Sequence, residues 1–472
     1  TTLPYVNSDP HIGFALEIIQ ADVLARYHRD VKANQVFFNT GTDEHGLKIY
    51  QKSVESNKTP QIYCDEYASK FARLKEDLNL SYDNFIRTTD STHKRAAQEF
   101  WNRCDANGDI YKDIYKAKYC IGCELEKTDT ELDKAGKCPL HPNQSIELIE
   151  EENYFFRFSK YQQQLLDLYT KYPDFVIPET RMNEIISFVK QGLHDFSISR
   201  LKSKMPWGVP VPNDEDHVMY VWFDALVNYI SALGWPDNQT EFNNYWLDES
   251  GQPQAIQVAG KDNLRQQSAM WQAMLISAQV PSTRQIFIHG FVTANGQKMS
   301  KSQSNVVNPL DLVKEFGTDA LRYYVLAELP PFSDGDYTKE KFTQRYNSDL
   351  ANGLGNLVSR IIKLASRVSV NPNNINSLEF DDKVSQLIEN YQFNDALAYL
   401  WQDRIATLDK YINDQEPWTL QGDELSAVMQ HCVDELANIS YTLVPFLPQT
   451  STMIFKLLEE PNGYSKPLFP RV

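Results

Sequence analysis

The sequence predicts an α/β protein: a parallel sheet split by a metal-knuckle insertion and followed by an all-α bundle. Three observations carry this. Amphipathic helical stretches alternate with short apolar strands in two blocks, one before about residue 105 and one from about 191 to 290. The stretch between them holds three of the six cysteines in a tight pattern. Beyond about residue 340 the strand signals stop and helical periodicity alone remains.

In chain order, Ile12, Leu16, Ile19, Val23 and Tyr27 recur on one face of a helix over 11–28. Val36-Phe37-Phe38 reads as a buried strand, and Gly41-Thr42-Asp43-Glu44-His45-Gly46 as the loop after it. Tyr63, Tyr67, Phe71, Leu74 and Leu78 mark a second amphipathic helix over 62–79. Only Thr1 to Val6 stand before the first helix, so the strand expected there is cut short. The insertion carries the cysteines, the run Tyr154-Phe155-Phe156 and a helix over 160–171. Strands return at 218–222, 256–259 and 285–288, with a helix over 264–278 following Gly260-Lys261-Asp262. Helices then fill 342–368, 381–412 and 424–458, broken by the Asn/Pro stretch 371–376 and by Pro417.

A chain of 472 residues exceeds one ordinary core. The expected division is 1–105 and 191–290 for the two halves of the sheet domain, 106–190 for the insertion, 291–340 for a loop and connecting region, and 341–472 for the helical domain. No apolar run reaches membrane-spanning length, and no signal peptide precedes Thr1, so a soluble, cytoplasmic protein is expected. The absence of an initiator Met suggests missing upstream residues. A net charge of −17 argues against a general nucleic-acid coat and leaves room for RNA recognition through local basic patches. Cys64, Cys104 and Cys432 are scattered and read as buried thiols.

Cys120, Cys123, Cys138 and His141 follow the spacing C-x2-C, fourteen residues, C-x2-H. Three thiolates and one imidazole form a closed tetrahedral set for structural Zn2+. The intervening loop, with Asp133, Lys134 and Gly136, has no core of its own, so the metal would supply its folding energy. A closed set leaves no coordination position for catalysis.

Two strings almost a chain apart carry the chemistry. His11-Ile12-Gly13-Phe14 stands at the mouth of the first helix, where free N–H groups and the helix dipole favour phosphate. Lys298-Met299-Ser300-Lys301-Ser302 is a polar loop with two lysines. A triphosphate gripped from both sides needs donors of this kind. Alone, the second string is equally a solvated basic loop, and Asp262 fits a helix N-cap as well as a ribose contact.

In this order the two strings resemble the halves of the ATP site of class I aminoacyl-tRNA synthetases. Leu3-Pro4-Tyr5-Val6-Asn7, the loop 41–46, the zinc knuckle followed by Glu152-Asn153-Tyr154-Phe155-Phe156, Asp195 to Arg200, Val221-Trp222-Phe223-Asp224-Ala225 and Asn347 to Asn352 narrow the match. Together they resemble the bacterial-type methionyl-tRNA synthetases over nearly the whole chain. The resemblance implies a Rossmann-like catalytic domain, a helical anticodon-binding domain and a two-step reaction. Methionine's carboxylate attacks the α-phosphate of ATP, delivered with Mg2+, giving methionyl-adenylate and pyrophosphate. The 2'-hydroxyl of the 3'-terminal adenosine of tRNA(Met) then takes the methionyl group.

By the same resemblance His11, Lys298 and Lys301 act on the phosphates, and Gly13, Phe14, Gly260 and Asp262 complete the ATP site. Asp43 pairs with the α-ammonium, while Leu3, Tyr5, Trp222, Ala225, Tyr229 and Gln267 wrap the thioether. Asn356, Arg360 and Trp418 meet the anticodon, with Arg345, Lys363 and Arg367 adding positive charge. Trp222, Tyr229 and Trp418 also fit ordinary packing.

The chain departs from the family pattern twice. Phe14 replaces a second histidine, and Asn263-Leu264-Arg265-Gln266-Gln267 stands where an apolar residue then Phe-His is usual. A dimerising C-terminal extension is missing, so a monomer is expected. The alternatives are a class I synthetase for another amino acid, a non-catalytic tRNA-binding protein and a nucleotidyltransferase of the same fold. The insertion is too short for an editing domain, intact His11, Asp262, Lys298 and Lys301 argue for catalysis, and the helical domain argues for tRNA.

Overall fold

Asn39–Thr42 and Asn84–Arg87 form a short parallel pair, in register from Asn39↔Asn84 to Thr42↔Arg87. A side chain at position 41 would put its Cβ 1.8 Å from the Ile86 carbonyl oxygen, so glycine alone lets the strands meet there. This pair belongs to one of two compact units, Thr1–Asp9, Asn39–Ala72 and Asn84–Ile288; the other comprises Pro10–Phe38, Arg73–Asp83 and His289–Val472. The computed structural model describes residues 1–123, 125–127, 131–299, 305–368, 370, 372, 378–461 and 466–472.

In the first unit a second sheet has the order Ile256–Gly260, Gln285–His289, Val176–Ile177, the last two parallel. The insertion is a long antiparallel hairpin. Ile110–Cys120 pairs with Glu147–Phe156 from Ile110↔Phe156 to Tyr119↔Glu147, flanked by Leu125–Lys127 and Phe196–Ser197. The change of pattern seen from about residue 106 is thus a change from parallel to antiparallel sheet. The aromatic run ends inside it, with Phe156 fully buried and its ring stacked on Tyr161 at 5.7 Å.

The second unit pairs the long helix Ile12–Arg26 with a helical array. Buried Asp22 of that helix accepts from Arg322 (2.8 Å), Arg26 (2.8 Å), and Ser81 N (2.6 Å) and Oγ (2.7 Å). Arg322, fully buried on Thr318–Ala327, also donates to the Phe446 and Pro445 carbonyls. A buried arginine needs this many acceptors to offset its lost hydration. Among the described residues no strand follows Gly335–Tyr337, and helices run from Lys339–Arg345 to Pro448–Glu459.

Several elements differ from expectation: Gly41 and Thr42, read as loop, end the first strand, and the helices read over 381–412 and 424–458 are each interrupted, at 390–392 and 444–447. Val36-Phe37-Phe38 is irregular: the Asp83 carboxylate takes the Phe38 N–H at 2.7 Å, and the strand starts at Asn39, where its parallel partner does. The strand expected over 218–222 is Asp214–Met219, and the helix Val221–Leu226 begins after Tyr220. Apolar runs of this length do not distinguish strand from buried helix.

Candidate active site

In the second unit, His11 caps the helix Ile12–Arg26 with its own ring. Its backbone is extended (φ −127°, ψ 167°), and Nδ1 accepts the Gly13 N–H at 3.1 Å. A Cβ on residue 13 would stand 3.0 Å from His11 Cε1 and Nδ1. Glycine there makes room for the ring. With Nδ1 accepting, the neutral imidazole carries its proton on Nε2. Burial lowers the His11 pKa and keeps the ring neutral. The free backbone donors expected at this terminus are not free: Ile12 N–H donates to the Val307 carbonyl at 3.0 Å, and Phe14 and Ala15 donate to the His11 carbonyl. His11 Nε2 and the helix dipole are what remain for an anion.

The lysine string begins on a hairpin. Val292–Ala294 and Gln297–Lys298 are joined by Asn295-Gly296 at φ 53° and 72°, the backbone a two-residue type I′ turn requires. Asp336, on the parallel strand Gly335–Tyr337, braces it by accepting from Thr293 Oγ1 (2.6 Å) and Gly296 N (2.7 Å). The hairpin delivers Met299, whose Cε would lie 3.9 Å from a Cβ on Gly13. The two strings therefore meet. Lys298 is exposed, its ammonium 5.5 Å from the centroid of the Phe291 ring. Lys301 lies outside the described residues. Phe14 is half-buried and brings no donor.

In the first unit, Asp43 follows the strand Asn39–Thr42 and bridges Tyr5: Asp43 N donates to the Pro4 carbonyl (3.0 Å) and Val6 N to the Asp43 carbonyl (3.2 Å). The segment bearing Leu3 and Tyr5 is thereby fixed beside Asp43. Glu44 is buried and gripped by Arg87, with Nε to Oε1 at 2.7 Å and Nη2 to Oε2 at 2.9 Å. Trp222 and Ala225 lie on Val221–Leu226, and Tyr229 on Asn228–Ser231. Tyr229 packs on Trp271 with ring centroids 6.1 Å apart. Gln267 sits in a π turn, Gln266–Met270, just before the helix Trp271–Ser277. Trp222 Nε1, Gln266 Oε1 and Gln267 Oε1 are buried with no hydrogen-bond partner among the described residues. Each such atom costs about 1–3 kcal/mol, which a polar ligand atom would relieve. Gly260 ends the strand Ile256–Gly260 and caps the turn Lys261–Asn263, so Asp262 is exposed within the turn and is not its N-cap.

The ligand atoms of Cys120, Cys123, Cys138 and His141 all lie within 4.8 Å of one another. His141 Nδ1 is 3.2 Å from Cys123 Sγ and 3.8 Å from Cys120 Sγ, and Cys123 Sγ is 3.5 Å from Cys138 Sγ. A Cβ on Gly122 would meet His141 Cγ at 2.5 Å, so glycine there is what lets the imidazole close the set. The donor atoms and their convergence fit a metal ion bound by the whole set.

In the helical array, Asn356 starts the helix Asn356–Ala365 and is exposed. Arg360, on the same helix, donates to Asp409 (2.7 Å) and Asn413 (2.6 Å) of Ala406–Gln415. Trp418 follows that helix and is 48% exposed. Lys363 and Arg367 are exposed, but Arg345 is paired with Glu328 and Asp349, each at 2.9 Å, and adds no free positive charge. One arrangement was invisible in the sequence: His45 Nδ1 and Asp224 Oδ2 lie 2.9 Å apart, both buried. Each residue stands in a recognisable string, but nothing in either string names the other.

The model for tRNA synthetases class I (M) matches residues 1–147 and 142–362. The methionine–tRNA ligase of Thermotoga maritima is 41% identical over 97% of this chain and 74% of its own length. That of a Nostoc species is 40% identical, over 97% and 89%. The structure of Mycobacterium tuberculosis methionyl-tRNA synthetase in complex with methionyl-adenylate superposes with a TM-score of 0.88 at 36% identity, covering 97% of this chain and 92% of that one. Its apo form superposes with 0.81 at 32% identity, over 100% and 98%. With its fold, its paired strings and its cysteine set, this chain belongs to the class I methionyl-tRNA synthetases.

Proposed function

We propose that this protein is a methionine–tRNA ligase that activates methionine with ATP and transfers it to tRNA(Met). The observation that carries the reading is the approach of Met299 to Gly13 at the start of the first helix. It unites the two strings expected of an ATP site.

The chemistry follows from the residues. In-line attack by the carboxylate on the α-phosphate needs positioning and charge stabilisation rather than a protein nucleophile. His11, neutral with its proton on Nε2, gives one directed hydrogen bond to a phosphate oxygen, so the cationic share falls on Lys298, Lys301 and the Mg2+ that accompanies ATP. Gly13 and Gly260 give close approach, Phe14 contributes packing alone, and exposed Asp262 accepts from the ribose hydroxyls. Asp43 takes the α-ammonium. Leu3, Tyr5, Trp222, Ala225 and Tyr229 surround the thioether, with Gln267 as its polar neighbour. Asn356, Arg360 and Trp418 form the anticodon platform, Trp418 by stacking. The division into 1–105, 106–190, 191–290, 291–340 and 341–472 assigns these roles to the catalytic halves, the knuckle insertion, the lysine-loop region and the helical domain. Zn2+ held by Cys120, Cys123, Cys138 and His141 closes the knuckle and supplies folding energy. A monomer in the cytoplasm completes the reading; among the described residues no helix is long and apolar enough to cross a membrane.

Amino-acid-dependent ATP–pyrophosphate exchange across the twenty amino acids tests this. Exchange with methionine alone is expected. Exchange with a different amino acid would reassign the substrate, and exchange with none would leave a tRNA-binding protein. Light scattering at twice 54.4 kDa would overturn the monomer.

A further inference from the structure

We propose that the buried His45–Asp224 pair is a positioning device that sets the length of the amino-acid pocket, by tying the Asp43 loop to the helix of Trp222 and Ala225. The inference deepens the methionine reading above and rests on it.

The two ends of the pocket come from different parts of the first unit. One end is Asp43, the ammonium partner, held at backbone level by Pro4 and Val6. The other is the wall on Val221–Leu226. That helix spans six residues, too short to be rigid by itself. Asp224 lies between Trp222 and Ala225, and its carboxylate points into the protein, with 0% side-chain exposure. His45, two residues past Asp43, donates to it at 2.9 Å from a ring that is 1% exposed.

Both partners are braced from behind. The His45 ring meets the Trp207 ring edge-on at 5.6 Å, and Trp207 Nε1 donates to the Glu44 carbonyl at 2.6 Å. His93 Nε2 lies 3.9 Å from the second Asp224 oxygen, and His93 Nδ1 is 2.9 Å from Ser231 Oγ at the end of the next short helix. Burial disfavours the Asp224 carboxylate, but His45 and then His93 outweigh it and keep it ionised. A buried charge with so few partners cannot move away from His45 without losing its compensation. The pair thus fixes the distance from the ammonium site to the thioether wall. Substrate length is then read by the tie as well as by the residues touching the substrate, so His45 and Asp224 are positioning residues.

The test compares His45→Ala, His45→Asn and Asp224→Asn with wild type in ATP–pyrophosphate exchange, using methionine, ethionine and norleucine, with a thermal melt of each. In wild type, exchange with methionine is the precondition from the parent reading; its absence would sink that reading and this one with it. His45→Ala should raise the methionine KM about 10- to 100-fold, the scale of a hydrogen bond to a charged group. It should leave the ATP KM within about twofold and narrow the preference for methionine over ethionine. His45→Asn, which keeps a donor near the Nδ1 position, should recover most of the loss. If His45→Ala melts below the assay temperature, the near-isosteric Asp224→Asn carries the same comparison. Equal rises in both KM values, or an unchanged methionine-to-ethionine ratio, would overturn the positioning role while leaving the ligase assignment intact.

Discussion

Gly13→Ala separates the architecture of the first string from its chemistry. The new Cβ would stand 3.0 Å from two atoms of the His11 ring, closer than that ring tolerates without shifting. The ring must give by a few tenths of an ångström, and the Gly13 N–H to Nδ1 bond, 3.1 Å long, weakens. Losing such a cap costs about 1 kcal/mol, while replacing glycine by alanine within a helix gains about 0.5–1 kcal/mol. The two nearly cancel, so the melting temperature should move by no more than about 2–4 °C. The rate should not escape. Nε2–H is then misdirected, and losing one preorganised donor costs about 2.7–4 kcal/mol, or about 100- to 1,000-fold in exchange at saturating methionine and ATP. A His11→Ala background supplies the control: with no ring to displace, adding Gly13→Ala should cost nothing further. An unchanged exchange rate in the single variant, or an additive loss in the double, would refute the claim that Gly13 acts through the His11 ring.

Four further outcomes are expected. Burial lowers the folded-state pKa of His11 from 6.5, so the unfolded chain binds more protons just below that value; the stability involved is present above about pH 6.5 and is lost as pH falls. Melting curves should therefore fall less steeply with acid in His11→Asn than in wild type. Trp418→Ala should leave methionine-dependent exchange and stability near wild type, because the ring is half exposed. It should weaken tRNA charging by about 1–3 kcal/mol in kcat/KM, the worth of one stacked base. Gly122→Ala, whose Cβ would collide with His141, should lose the bound zinc in metal analysis and open 121–146 to limited proteolysis; full zinc retention would count against the closed set. Arg322→Met should cost about 3–5 kcal/mol in denaturant unfolding, because it leaves buried Asp22 with Arg26 as its one remaining cationic partner and the Phe446 and Pro445 carbonyls without their donor. Adding Asp22→Asn should recover much of that loss.

The sequence by itself determined the class of the fold, the cysteine set and the two ATP strings. Those signals are local: C-x2-C and C-x2-H spacings, helical periodicity, and an imidazole two residues before a glycine at a helix start. Local spacing fixes which atoms can converge within one turn or knuckle. Where several conformations share one local pattern, the sequence misled. The Val36–Phe38 run is irregular because Asp83 captures its backbone, and the strand read over 218–222 turns into a helix after Tyr220. The N–H groups at the first helix looked free until Val307 and the His11 carbonyl claimed them. Arg345 changed meaning, neutralised by Glu328 and Asp349. Tertiary structure alone decided that Met299 reaches Gly13 and that His45 finds Asp224. Both contacts join residues separated by more than a hundred positions, and only burial and chain crossing, which no local pattern encodes, could pair them.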